Sequence, residues 1–428
     1  MTTMADRIDD NLSLISSSEA VDQINGSFYS RFPFPWRPKS LDCTSDPDFA
    51  RVMCNQNLGD WTHHRVPANP HIWVAGCGTN QAAITALHFP NAAVLGSDVS
   101  TSSLELCAST ARDLGSTNLE LRNESINQAG YRGQFDYIIC TGVIHHNADP
   151  EVTLTKLANA LKPAGVLELM VYNRYHRILT SAFQRGVRLL AGTEGRPDFQ
   201  KELSITRSLL DSYPGEGLMQ VLVNQHKHAP EAQIADSLMQ PVENSYTIET
   251  LEDMVARCGL ELVAPSPNAW DTGTRNTTWN LRFSQDDIQR SYDAFPDSRR
   301  WQITNLLLCE NSPMLWFYVQ RTDSPVKKRT EQEICEAFLE TRFRSNAVTR
   351  HSYMLNADNR FTQASSPALP YPGIPIKPEL RKIIEKVNSG ITMNRALASL
   401  GIARDFATVN SLRFRLTTSV SPFLRAIP

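Results

Sequence analysis

The stretch HIWVAGCGTNQAAITALHFPNAAVLGSDVS, residues 71–100, decides how the chain is read. An apolar run of strand length ends on two glycines spaced by one residue. An Ala-rich segment of helical period follows, and a second apolar run ends on Asp98. Strand, tight turn, helix and strand in that order open a βαβ unit. The rhythm continues: strands are expected at 119–122, 135–141 and 166–172 beside those at 72–75 and 93–97, with helices at 82–88, 102–114 and 150–161. Such alternation predicts a parallel sheet covered by helices on both faces, with ligands at the carboxyl ends of the strands.

A glycine loop after the first strand, with an acid about twenty residues on, is a nucleotide-binding arrangement. A dinucleotide loop keeps glycine or alanine at its third place so that helix and strand pack closely, and here Gln81 stands there after Gly76-x-Gly78. That argues against NAD and FAD. No Gly-Lys-Ser/Thr follows, so the lysine and hydroxyl of a triphosphate-binding loop are missing.

What remains resembles the first motif of the class I S-adenosylmethionine-dependent methyltransferases, roughly GxGxG, here Gly76-Cys77-Gly78-Thr79-Asn80. The resemblance implies a seven-stranded, mostly parallel Rossmann-like sheet, S-adenosylmethionine as cofactor with S-adenosylhomocysteine as product, and no metal. It also implies residue roles: the loop approaches the amino-acid portion and ribose, and Asp98, with Val99 beside it, offers two acceptor oxygens to two ribose hydroxyls. NESI, residues 123–126, falls where a polar residue near the adenine is common, which points to Glu124 and Ser125. FDYIICTGVIHHNADP, residues 135–150, matches the fourth strand and its loop, with Thr141 and Gly142 beside the cofactor. LKPAGVLELMVYN, residues 161–173, matches a helix end, a Lys-Pro-x-Gly turn and the fifth strand. Two positions depart from the pattern: Asn80 replaces the usual third glycine, and Val74 stands where many members carry an acid toward the methionine amine. A backbone carbonyl can take over that contact.

Candidate catalytic residues cluster after the fourth and fifth strands. His145 and His146 are adjacent and point in different directions, so only one can face an acceptor; His146 is preferred, since an imidazole near neutral pKa can take a proton from it. In YNRYHR, residues 172–177, Arg174 can clamp a substrate carboxylate and Tyr172 can present its ring to a sulfonium, whereas His176 and Arg177 read as a solvated helix face. Tyr29 lies in SFYSRFPFPWRP, residues 27–38, where three prolines among five aromatics predict an extended arm, either a lid over the site or cover for a hydrophobic edge.

The rest of the chain sets the frame. At 428 residues it exceeds the roughly 250–300 at which single cores stop growing, so more than one compact unit is expected. Basic and acidic side chains number 42 and 45, which leaves no global field for nucleic acid or an anionic membrane. Eight scattered cysteines without a CxxC, and an N-terminus unlike a signal peptide, suit a cytoplasmic protein with reduced thiols. Paired histidines at 63–64 and 226/228 lack companion ligands for a metal. Four regions are expected: an N-terminal helix, over about 5–24, and arm within 1–68; a cofactor-binding core at 69–172 and 246–321; a helical insertion at 173–245 that caps the substrate; and a C-terminal helical or winged-helix-like module at 330–428, reached through the polar stretch 322–333. The cap and arm favour a small-molecule acceptor with an O, N, S or C nucleophile. The alternatives are a protein or RNA substrate recognised by the C-terminal module, and a non-catalytic cofactor-binding regulator.

Overall fold

The computed structural model describes residues 17–193, 197–274, 278–308, 311–365, 369–373 and 375–428. Helix α1 (Ser18–Arg31) starts where the Ser17 side chain accepts from the Ala20 amide, and it stops where Pro33 excludes a further turn. The arm expected from residue 27 therefore begins only after Arg31. No proline precedes Pro33, and the helix buries Phe28 and Phe32 against Phe199. Most of the helix expected over 5–24 lies outside the described residues.

Strand β1 (Ser40–Thr44) and helix α2 (Phe49–Asn57) precede the sheet. The core then runs β2 (His71–Ala75), α3 (Gln81–His88), β3 (Ala93–Asp98), α4 (Thr101–Asp113), β4 (Leu119–Asn123), β5 (Phe135–Thr141), α5 (Pro150–Ala160) and β6 (Leu161–Tyr172). Ser100 caps α4, and Asp149 caps α5 ahead of Pro150. The Lys-Pro-x-Gly segment is not a free turn. Leu161 already pairs with Phe135, and a register shift absorbs the intervening residues before Val166 pairs with Tyr137.

Four helices form the insertion: α6 (Arg174–Ala191), α7 (Phe199–Asp211), α8 (Leu218–His226) and α9 (Glu231–Leu238). After α10 (Ile248–Arg257), strands β7 (Leu260–Pro265) and β8 (Met314–Arg321) complete a seven-stranded sheet in the order β4-β3-β2-β5-β6-β8-β7. Only β8 runs antiparallel to its neighbours. Alternate residues of each strand serve opposite faces. Trp73, Ile138, Leu167 and Phe317 pack with Leu154 of α5 and Leu251 of α10, whereas Ile72, Val74, Tyr137 and Val166 pack with Ala82 of α3 and Leu104 of α4.

The C-terminal part is sewn to the N-terminal part, a connection absent from the sequence reading. Thr349–Leu355 pairs antiparallel with β1, and Gln56 of α2 donates to the carbonyls of Thr417 (2.7 Å) and Leu424 (3.1 Å). Trp61 lies in the same apolar cluster as Phe338, Leu397 and Leu416. The stretch expected as a linker ends in a helix, Glu331–Glu340, started by a Thr330–Glu333 capping box. Helices Pro378–Val387, Met393–Ser399 and Phe406–Thr417 follow, with Leu424–Ile427 paired to Arg342–Ser345. Among the described residues no helix is long and apolar enough to cross a membrane.

Candidate active site at the carboxyl edge of the sheet

Parallel strands end their hydrogen bonding at the carboxyl edge, and there a cavity of about 930 Å³ opens between the sheet and the roof made by α1, α6, α8 and α9. Gly76 and Gly78 line its floor with φ of 73° and 55°, a backbone that side-chain-bearing residues rarely adopt. A Cβ on Gly78 would lie 2.7 Å from the Phe34 carbonyl oxygen, so the arm rests directly on the loop. At the end of β3, Asp98 accepts from the Gly78 amide through Oδ2 and from the Ser100 amide through Oδ1, each at 2.8 Å. Both oxygens retain a lone pair. Burial raises the Asp98 pKa, and the backbone amides partly oppose it.

The cavity also takes in Cys77, Asn80, Val99, Glu124, Ser125, Thr141 and Gly142. The side chains of Thr79 and Asn80 turn to the arm instead: the Thr79 hydroxyl donates to the Pro35 carbonyl, and Asn80 Nδ2 donates to that of Trp36 at 3.4 Å. Thr79 does not line the cavity. The Glu124 carboxylate accepts from Tyr131 (2.5 Å), and Ser125 donates to Asp22 of α1 (2.5 Å). Asp22 and Asn25 were not singled out in the sequence, although with Tyr29 they recur at one-face helical spacing. Asn25 Nδ2 donates to the His146 carbonyl at 2.8 Å, while its Oδ1 is buried without a partner among the described residues. This end of the cavity offers acceptors to a ligand that carries hydroxyl and ammonium donors.

At the other end lie Tyr29, His146, Tyr172, His176, Arg177 and Asp236. His146 Nδ1 lies 2.8 Å from the Val242 carbonyl, which fixes that nitrogen as the donor and leaves Nε2 as an acceptor. Burial pushes the His146 pKa down to about 4, so the ring is neutral at pH 7. His145 is outside the cavity: it is fully buried, with its ring 4.0 Å from Tyr172 and 4.1 Å from His146. Arg174 is outside as well and donates to the Ser245 carbonyl at 3.2 Å. Arg177 takes the place expected for it. The way α6 docks after Asn173 sends the later arginine over the Tyr172 ring at 4.4 Å and onto Glu243, with Nε to Oε1 at 2.7 Å. Asp236 comes from α9, a helix no local motif marked as functional.

Residues 73–167 match the family model described as a methyltransferase domain. The chain is 26% identical over 302 residues to the uncharacterized protein syc1184_c of Synechococcus, a match spanning 68% of this chain and 69% of that one. Among solved structures it is similar to PKMT2 from Rickettsia typhi, with a TM-score of 0.55, 14% identity, and coverage of 92% of this chain and 77% of that one. PKMT2 in complex with AdoHcy aligns with the same TM-score and coverage at 13% identity. At such identity the likeness is one of fold. The family match falls on the segment that builds the glycine loop and Asp98, so residues 73–167 are similar to a methyltransferase domain, and the fold is similar to that of PKMT2 along nearly the whole length.

Proposed function

We propose that this enzyme methylates a small acceptor enclosed between the sheet and the helical cap. The observation that carries this reading is one continuous cavity with a hydroxyl- and ammonium-accepting end and a second polar end beneath the same roof. Its volume, about 930 Å³, is near the upper limit of small-molecule sites, about 300–1,000 Å³, which leaves room for a cofactor and one further molecule. No described residue beyond Trp316 lines it, so the C-terminal module supplies no contact there.

When bound, S-adenosylmethionine supplies a methyl group on a sulfonium, a leaving group already activated. The residues present fit it: Asp98 has two oxygens for the ribose hydroxyls, Gly76 and Gly78 allow close backbone approach, and Asn25 Oδ1 is a free acceptor for the amine that an acid at Val74 would otherwise meet. Glu124, Ser125, Thr141 and Gly142, which line the same cavity, would hold the remainder. The chain's own contribution is positioning and exclusion of water by α1 and the arm, with His146 Nε2 offering a hydrogen-bond acceptor to the methyl acceptor. The seven described cysteines are all free, which supports a cytoplasmic setting.

Calorimetric titration with S-adenosylmethionine, S-adenosylhomocysteine and NAD tests the cofactor end. Binding of the first two and not of NAD is expected; NAD binding without either adenosyl ligand overturns the assignment. Deletion of residues 1–38 is expected to depress turnover more than folding, and full turnover without them would dismiss the roof's role.

A further inference from the structure

The charges at the acceptor end are not balanced. Arg177 is the arginine that lines the cavity, and Glu243 already matches it in a two-point pair, while the Ser237 carbonyl takes another of its donors at 3.1 Å. Asp236 shares that environment and feels the Arg177 charge, but it is only 9% exposed, lines the cavity, and forms no ion pair with a described residue. Its polar neighbour is the Gln240 side-chain amide, a neutral group whose Nε2 also donates to the Tyr29 hydroxyl at 2.5 Å. Tyr29 and Tyr172 both lie close enough to feel the Asp236 charge, and Tyr29 also feels Asp98.

None of the other titratable lining groups forms an ion pair with Asp236 among the described residues. Asp22, Asp98 and Glu124 are acids, and His146 is held neutral by burial. His176 and His226 complete the set, with His226 Nδ1 2.9 Å from the Leu222 carbonyl. A buried acid without a paired cation repels an anionic ligand and attracts a cationic one. The carboxylate-bearing acceptor suggested by an arginine clamp loses its anchor, because Arg174 is outside the cavity and Arg177 is spoken for by Glu243.

We propose that the methyl acceptor is an aliphatic amine, bound as its ammonium ion by the Asp236 carboxylate with the Tyr29 and Tyr172 hydroxyls beside it. This rests on the methyl-transfer reading of the same cavity. Burial raises Asp236 to about 7, which also suits it to take a proton. An N–H bond of the ammonium breaks with its electron pair left on nitrogen, and the proton passes to an Asp236 oxygen. The two opposite charges become a neutral amine and a neutral carboxyl.

The test is calorimetric titration of the full chain at pH 8 with n-hexylamine, n-hexanol and hexanoate, with and without saturating S-adenosylhomocysteine. Hexylamine is expected to bind at least about ten-fold more tightly than hexanol, and hexanoate not at all. Asp236→Asn should lose about ten-fold or more of the hexylamine affinity while S-adenosylhomocysteine affinity is unchanged, and Asp236→Glu should restore amine preference. Equal or tighter binding of hexanol or hexanoate, no binding of hexylamine, or an Asp236→Asn protein that binds hexylamine like the wild type overturns the proposal. The preference among the three ligands needs no variant, so a misfolded variant leaves the test intact. Failure of S-adenosylhomocysteine to bind strikes the cofactor reading alone, since the amine titration is also run without it.

Discussion

Two buried charge clusters in this molecule are built differently. Between the core and the C-terminal module, Arg300 on the helix Asp297–Leu308 meets two acids, Asp297 at 2.6 Å and Glu331 at 3.1 Å, and its remaining donors reach Asn280 Oδ1 (2.9 Å) and the Phe295 carbonyl (2.6 Å). Glu331 also feels Arg413, which offsets the second acid. Under the cap, Arg177 pairs with Glu243 and reaches Asp236 only through its field, with no second cation there to offset the second acid as Arg413 does for Glu331. The first cluster spends its charges internally and fastens two parts of the chain together. The second keeps one carboxylate facing a cavity, an arrangement that costs stability unless a ligand supplies the cation.

The comparison can be broken most forcefully at the matched cluster. Arg300→Ala strands two buried acids and is expected to cost about 3–5 kcal/mol in urea unfolding; a loss below about 1 kcal/mol would mean that the cluster holds nothing together. At the cavity, Asp98→Ala should leave the fold intact and weaken S-adenosylhomocysteine about 100-fold by calorimetry, since charge-assisted hydrogen bonds contribute about 1.5–3 kcal/mol each. Unchanged affinity would remove the ribose contact.

Asp236→Asn should act in the opposite direction on stability. Its folded pKa, about 7, exceeds the ordinary 3.8, so the native state holds the extra proton between those values and loses stability as pH rises through that window. The variant should melt higher at pH 8, by about 2–4 °C per kcal/mol relieved, and no differently at pH 3. A lower melting temperature at pH 8 would make Asp236 a structural acid like Asp297. The smallest effect is expected at His146. With an activated leaving group, His146→Gln should lower kcat only about ten-fold. Because the native imidazole stays neutral down to about 4 while the unfolded one protonates below 6.5, stability should fall as pH drops from 6.5 to 4, and this variant should flatten that slope in urea titrations.

The core was legible because its signals are local. The β2, α3 and β3 segments carry their own periods, and Gly76 and Gly78 mark a positive-φ turn whatever the rest of the chain does. Other local signals are weaker: Thr330 and Glu333 spell a capping box inside a polar stretch of linker composition, and Asp22, Asn25 and Tyr29 share a helical face. Arg174 and Arg177 could not be told apart, since both begin the same helix and the docking of that helix decides which one reaches the cavity. His145 and His146 are both buried and are told apart by which of them lines the cavity and by the Val242 carbonyl, which comes from the far end of the insertion.

By itself the sequence determined the alternating sheet, the glycine loop, the acid at the end of β3 and the resemblance that names the cofactor, because each rests on residues a few positions apart. Only the tertiary structure decided that Thr349–Leu355 pairs with β1, that α1 roofs the glycine-loop end of the cavity, and that Asp236 has no ion pair beside a matched Arg177–Glu243 pair. Those outcomes join segments far apart in the chain. Pairing of distant strands and neutralisation of buried charge are settled by which surfaces meet on folding, and no local period records that meeting.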